Sequence, residues 1–237
     1  MYIFFSFSLI ILLEINLLAQ TIEKKFSLFA GMDYITSAQI FLNPGSSDLF
    51  IRNKSFELSD LFSPVIDLRY QANEDLIVGL SGEYIVKSEE AFNQTVIDGS
   101  QIIQLEVDDG VIFIPVELSV YYLMPFSTEQ FKFTMGAGIG YYYGAHTRIL
   151  GNTEIENIDR KTSFGLLVSI GMEYLIFEQL GARLDMKFRD PDIKISSMYR
   201  DSTAIYRGRE LQITPSTFDT KINLNGISFL IGLTFHF

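Results

Sequence analysis

The sequence predicts an all-β protein: an eight-stranded antiparallel up-and-down transmembrane β-barrel. Three observations predict it. After Thr21 there is no helical stripe of any length, and eight segments alternate with period two between apolar and other residues. One face of those segments carries no charge, while the other mixes acids, bases, Gly and Ser. The connections between segments are alternately short and long, as in transmembrane barrels with short turns at one end and longer loops at the other.

The chain opens with an apolar stretch before any strand. Residues 2–13 are apolar apart from two Ser, Glu14 and Asn16 then interrupt, and Ala19 offers a small residue for cleavage. The stretch is shorter than the ~20 residues a membrane helix needs. It has the form of a signal peptide over residues 1–19, removed to leave a barrel domain over 20–237.

Strand one covers 26–34, with Phe26, Leu28, Ala30, Met32 and Tyr34 on the apolar face and Asp33 on the other. Strand two, 65–71, sets Ile66, Leu68 and Tyr70 against Asp67 and Arg69. Strand three, 76–86, sets Val78, Leu80 and Tyr84 against Ser81 and Glu83. Strand four, 111–124, sets Ile114, Val116, Leu118 and Val120 against Pro115, Glu117 and Ser119. Strand five, 131–143, opposes Phe133, Met135, Ala137 and Ile139 to Lys132, Gly136, Gly138 and Gly140. Strand six, 164–176, opposes Leu166, Val168, Ile170 and Met172 to Ser169, Gly171 and Glu173. Strand seven, 180–189, opposes Leu184 and Met186 to Arg183, Asp185, Lys187 and Arg189. Strand eight, 227–237, opposes Phe229, Ile231 and Leu233 to Ser228, Gly232 and His236. The connections 72–75, 125–130 and 177–179 are short. Those at 35–64, 87–110, 144–163 and 190–226 read as long outer loops.

Alternation alone does not say which face is inside, because a soluble barrel with an apolar lumen has the same period. Volume points the apolar face outward. The lumen of eight strands is just wide enough for side chains to fill, and the bulky face is too large for it. Charge agrees, since acids and bases on the other face are nearly balanced and suit a paired interior. Aromatic position agrees as well. Phe26, Tyr70, Tyr122, Phe131, Tyr174, Phe235 and Phe237 fall at one rim, and Tyr34, Tyr84, Tyr141, Tyr143, Phe164 and Phe188 at the other. Two such girdles mark the edges of a bilayer. The expected interior network is Asp67, Arg69, Glu83, Glu117, Lys132, Glu173, Arg183, Asp185 and Lys187, with a structural role.

The run Ile114-Pro115-Val116-Glu117, then Tyr121-Tyr122, then Gly136-Ala137-Gly138-Ile139-Gly140-Tyr141 resembles the middle of the outer-membrane beta-barrel domain family, which includes small eight-stranded proteins of the OmpX and OmpA-barrel type. The ending Thr234-Phe235-His236-Phe237 resembles the aromatic signal that such proteins present to the barrel-assembly machinery. The resemblance implies an integral barrel in the bacterial outer membrane, with lipid and that machinery as partners. It implies no shared catalytic residues.

Composition narrows the function. A net charge of −11 argues against nucleic acid as a partner. Zero Cys and two His leave little for a metal or thiol chemistry, and no cofactor is expected. Gly136-x-Gly138-x-Gly140 lies in a strand without a following helix, so it reads as small lumen residues rather than a phosphate cradle. His146 with Ser163 is the one pairing a lipid hydrolase could use, though nothing in the spacing demands it. Glu89, Glu90, Asp98, Glu106, Asp108 and Asp109 read as a solvated acidic loop, without the ligand spacing of a calcium loop. Alternation around Ile193, Ile195, Leu211, Ile213, Ile222 and Leu224 suggests that strands seven and eight continue outward as a hairpin. The expected function is non-enzymatic, structural or surface-binding through the outer loops, with a ligand the sequence does not name. A narrow channel for small solutes is the alternative. A lipid-acting barrel enzyme and a soluble lipocalin-like barrel are further rivals.

Overall fold

In the computed structural model, residues 24–98, 101–160, 162–213, 217–224 and 226–237 are described. The stretch read as a signal peptide lies outside them. The described chain forms β1 (Phe26–Phe41), one helical turn α1 (Leu49–Arg52), β2 (Ser55–Gln71), β3 (Leu76–Glu83), β4 (Ile85–Asp98), β5 (Gln101–Leu123), β6 (Phe131–Leu150), β7 (Thr153–Arg160), β8 (Ser163–Phe177), β9 (Leu180–Arg189), β10 (Asp192–Tyr199), β11 (Thr203–Tyr206), β12 (Arg209–Gln212), β13 (Phe218–Asn223) and β14 (Ile227–His236). Twelve strands form one antiparallel sheet, and β11 and β12 form a separate hairpin.

The sheet closes. Pairing runs β1–β2–β3–β5–β6–β8–β9–β14 and returns from β14 to β1. At one end the strands meet in the short turns after β2, β5 and β8. Both ends of the described chain lie at that same rim, where Phe26 N–H donates to Phe237 O (3.0 Å) and Phe237 N–H to Phe26 O (2.9 Å). At the other end β4, β7, β10 and β13 extend the wall. There β10 pairs with β7 and β13, and β13 pairs with β1.

One expectation needs correction: the segments read as long outer loops are mostly strand, so that the described residues form fourteen strands, twelve of them in one sheet. β1 and β2 remain paired from Phe26↔Tyr70 out to Phe41↔Ser55. β5 and β6 remain paired out to Asp108↔Ile149. The pattern changes there for a physical reason. Near the short turns the inside is polar and the outside apolar. Toward the far end the inside becomes apolar: Leu58, Leu61, Val111, Phe113, Ile193 and Ile222 are buried, while Glu57, Lys194 and Asp192 are exposed. The phase also slips. On β2 the buried residues change from odd numbers at Leu61 and beyond to even at Leu58, around Asp60 with φ 53°. On β1 the same change occurs between Ile35 and Ala38. The polarity of the two faces thus reverses along the barrel axis.

The apolar outer face of the lower barrel is uncovered. Leu118, Val168, Ile170 and Leu233 are each about half exposed, with Glu117 and Arg183 buried behind them at 1% and 3%. Ring pairs sit at the two edges of this band: Phe26–Tyr70 (5.0 Å) and Phe131–Tyr174 (4.9 Å) below, Tyr34–Phe62 (5.1 Å) and Tyr141–Phe164 (5.4 Å) above. An apolar belt of this extent between aromatic girdles is a surface solvated by hydrocarbon, not water.

Candidate functional site

The lumen is filled in layers, counted from the short-turn end. In the first, His236 on β14 meets Glu173 on β8 at 2.5 Å. In the second, Arg69 and Asp67 on β2 face Arg183 and Asp185 on β9. Arg69 donates to Asp67 (2.9 Å) and Asp185 (2.9 Å), and Arg183 donates to Asp67 (2.6 Å) and lies 3.1 Å from Asp185. The two guanidinium groups are roofed by rings. Arg69 lies 3.8 Å from the Tyr121 ring centre and Arg183 3.9 Å from that of Phe29.

The third layer joins β1, β3, β5, β6 and β9. Arg189 reaches Glu83, Glu117 (2.8 Å) and Asp33 (3.4 Å). Lys187 bridges Glu83 and Glu117, the latter at 2.8 Å. Tyr142 O–H donates to Glu117 at 3.0 Å. Buried charges of this kind persist only when paired and hydrogen-bonded. The strand period supplies the pairing, since residues two apart on one strand project into neighbouring layers.

Seven of the nine residues expected in this network lie in the second and third layers, whereas Glu173 pairs with His236 below them. Lys132 differs: it stands opposite Glu173 in register on β6 and β8, but forms no ion pair among the described residues. Asp33 and Arg189 belong to the network beyond those nine. So do Tyr142 and Tyr121, two aromatics on the polar face that a scan for charge passes over. Gly136 and Gly140 face the lumen, where a Cβ would collide with the rings of Tyr121 and Tyr142 respectively. Their smallness is therefore a packing requirement.

Above the third layer lies an apolar plug that includes Ile40, Leu58, Leu61, Ile85, Val111, Phe113 and Ile193. Above the plug is a second polar group. His146 Nε2 lies 2.6 Å from Asp109 Oδ1, and Arg148 donates to both Asp109 oxygens (3.1 and 2.8 Å). Asn93 also donates to Asp109 at 2.8 Å. Burial disfavours the Asp109 charge, yet the hydrogen bond from His146 and the Arg148 guanidinium hold its carboxyl well below the usual range. Burial pushes His146 down, against the opposing pull of Asp109. His146 is thus built into a strand, with Asp109 as its ring partner. Ser163 stands in register with Tyr142 instead, and its hydroxyl bonds to the carbonyl of Phe164.

Of the acidic residues read as a solvated loop, Asp109 is fully buried. Glu89 and Glu90 are register partners of Asp109 and Asp108 on the β4–β5 ladder. Asp98 lies where side chains are not described. Among the described residues, no group of three or more His, Asp or Glu is placed to hold a metal ion. The Asp109 cluster could have been found from the phase of Val107, Asp109 and Val111, once the strand was known to continue that far.

At the far mouth a cavity of about 580 Å³ opens above this cluster, with Arg148, Tyr199 and Phe218 among its lining and Lys54, Gln104 and Gln212 nearer its rim.

No family model matches the chain, and no curated protein matches it. Solved structures do. The outer membrane protein OprG from Pseudomonas aeruginosa is similar with a TM-score of 0.59 at 15% identity, over 90% of this chain and 96% of that one. The attachment invasion locus protein Ail of Yersinia pestis gives a TM-score of 0.47 at 10% identity, over 91% and 100%. Neisserial surface protein A gives 0.45 at 15% identity, over 90% and 97%. Together with the closed sheet and its apolar belt, the first of these likenesses shows that the chain has the fold of the small outer-membrane β-barrel proteins.

Proposed function

We propose that this chain is an integral outer-membrane protein whose membrane part is an eight-stranded ring, and that it acts without catalysis, as a structural or surface-binding protein through its long outer hairpins. The observation that carries this reading is the filled lumen. Arg183, Arg189 and Phe113 are buried at successive levels of one lumen. A small barrel filled by its own side chains leaves little space for a path. The outer hairpins, by contrast, form a wall with its own apolar core and present a cavity outward.

The non-enzymatic part rests on His146. It is buried, its Nε2 meets Asp109, and among the described residues its Nδ1 has no hydrogen-bond partner, so no hydroxyl or amine is joined to the ring. A nucleophile within hydrogen-bond reach of its base is what catalysis of that kind needs. The exposed end of Phe237, stacked on Phe26 (6.0 Å) and Phe235 (6.2 Å), is the surface proposed to meet the barrel-assembly machinery. The leader over residues 1–19 is the proposed route of export.

Planar-bilayer recording tests the reading. The refolded barrel is expected to give no stable open current. A steady ohmic current would replace it with the alternative, a narrow channel for small solutes.

A further inference from the structure

The mouth cavity has a chemistry that the surface-binding reading alone does not specify. The chain is strongly acidic, with 29 Asp and Glu against 18 Lys and Arg. Yet no carboxylate lines this cavity among the described residues, while Lys54 and Arg148 both do. Five amide side chains join them, two of which are Gln104 and Gln212. An amide offers a donor and an acceptor side by side, matched to neighbouring hydroxyl groups. The volume falls in the ~300–1,000 Å³ range of small-molecule sites.

The floor is prebuilt. Arg148 is held by its two hydrogen bonds to Asp109 and lies 5.1 Å over the Phe218 ring, which is 6.0 Å from the Tyr199 ring. Phe218 and Phe92 supply apolar lining for the C–H side of a pyranose, while Asn43, Gln104 and Gln212, unlike Asn93 and Gln94 with their bonds to Asp109 and Tyr199, are placed to take its hydroxyls. Lys54, at the exposed rim, supplies a positive charge for one acidic group. Arg148 is largely compensated by Asp109, so a single negative charge on the ligand is the match.

We infer that this cavity binds a saccharide unit carrying one carboxylate. The inference rests on the surface-binding reading and names the ligand class for it. The source is either a free sugar acid or the end of a longer glycan.

The test uses the full barrel in lipid nanodiscs, observed by amide NMR. The probes are glucuronate, glucose, acetate and a disaccharide ending in glucuronate. Glucuronate is expected to give saturable shifts at Gln104, Arg148, Tyr199, Gln212 and Phe218, with glucose about tenfold weaker, a difference of ~1.4 kcal/mol. Acetate should give none. The disaccharide should bind at least as well as glucuronate if a glycan end is the source, and less well if a free sugar acid is. Lys54→Gln should weaken glucuronate binding and leave glucose unchanged, while Gln104→Leu should weaken both. Both residues are exposed, so the fold should survive and the wild-type spectrum serves as the check. Absence of saturable shifts with every saccharide overturns the inference, as does acetate binding as well as glucuronate. A barrel that is silent in bilayers yet ignores all the probes loses this ligand class and keeps its surface-binding reading. A barrel that conducts loses that reading first.

Discussion

Arg189 and Glu83 are joined twice, Nη1 to Oε1 at 3.0 Å and Nη2 to Oε2 at 2.7 Å, across 106 positions of sequence. The planar fork of Arg matches the carboxylate as Lys does not. The same guanidinium also reaches Glu117 and Asp33. Arg189→Ala would leave three buried acids facing Lys187 alone. Removal of one partner from a buried pair costs ~3–5 kcal/mol. The refolded barrel carrying Arg189→Ala is expected to unfold in urea at a clearly lower midpoint, and Glu117→Ala to do so to a lesser extent. An unchanged midpoint in both would show that the network does not hold the barrel together.

Gly136 makes a different kind of prediction. A Cβ there would overlap the Tyr121 ring, and Tyr121 is the roof of Arg69. Gly136→Val should therefore displace that ring and loosen the Arg69–Asp67–Asp185 layer. Overpacking of this kind costs ~1–3 kcal/mol. The measurement is again the urea midpoint, with Gly82→Ala as the comparison, since a Cβ at Gly82 meets nothing closer than 4.0 Å. Equal effects at the two glycines would remove the steric argument.

The His146–Asp109 contact carries a pH dependence. His146 faces Asp109 and Arg148, with Phe218 edge-on and Tyr199 beside Arg148. Its pKa is lowered from the ordinary 6.5 by burial. Below 6.5 the unfolded chain takes up a proton that the folded chain refuses, so stability falls as pH drops from 6.5 toward the folded value. Asp109 has the same sign, with its contribution lost only at lower pH, beneath its ordinary 3.8. Between about pH 7.5 and about pH 5.5, wild type should lose more stability than His146→Phe. A wild-type imidazole that titrates at or above 6.5 by NMR would contradict this.

The sequence was legible where one rule held. On 26–34 and 180–189 the lipid belt and the charged lumen alternate without interruption, and strand, face and network could all be read from the residues. Legibility stopped at Thr36 and Asp60, where the phase slips, and at Val111 and Phe113, where the lumen turns apolar. Beyond those points the strands continue as in a water-soluble barrel, apolar inward and polar outward. A reader scanning for the membrane pattern takes them for loops. The hairpin foreseen around Ile193 and Ile222 is present as β10 and β13, paired to each other and to β7 and β1. Tyr142 was passed over for another reason: its phase between Tyr141 and Tyr143 puts it on the polar face, but an uncharged ring does not mark itself as a partner of Glu117. Lys132 shows the reverse error, a charge of correct phase placed too close to the rim for the network.

The central claim is that the uncharged face meets lipid while the charged face is enclosed. The chain has no Trp, so a single introduced indole reports from one place. The most direct measurement is quenching of Trp fluorescence by brominated acyl chains, for Leu118→Trp, Val168→Trp and Ser196→Trp in turn. Strong quenching is predicted at Leu118 and Val168, and little at Ser196 on the outer hairpin. Bright, unquenched fluorescence at both Leu118 and Val168 would mean that these side chains do not touch lipid, and the account would fail.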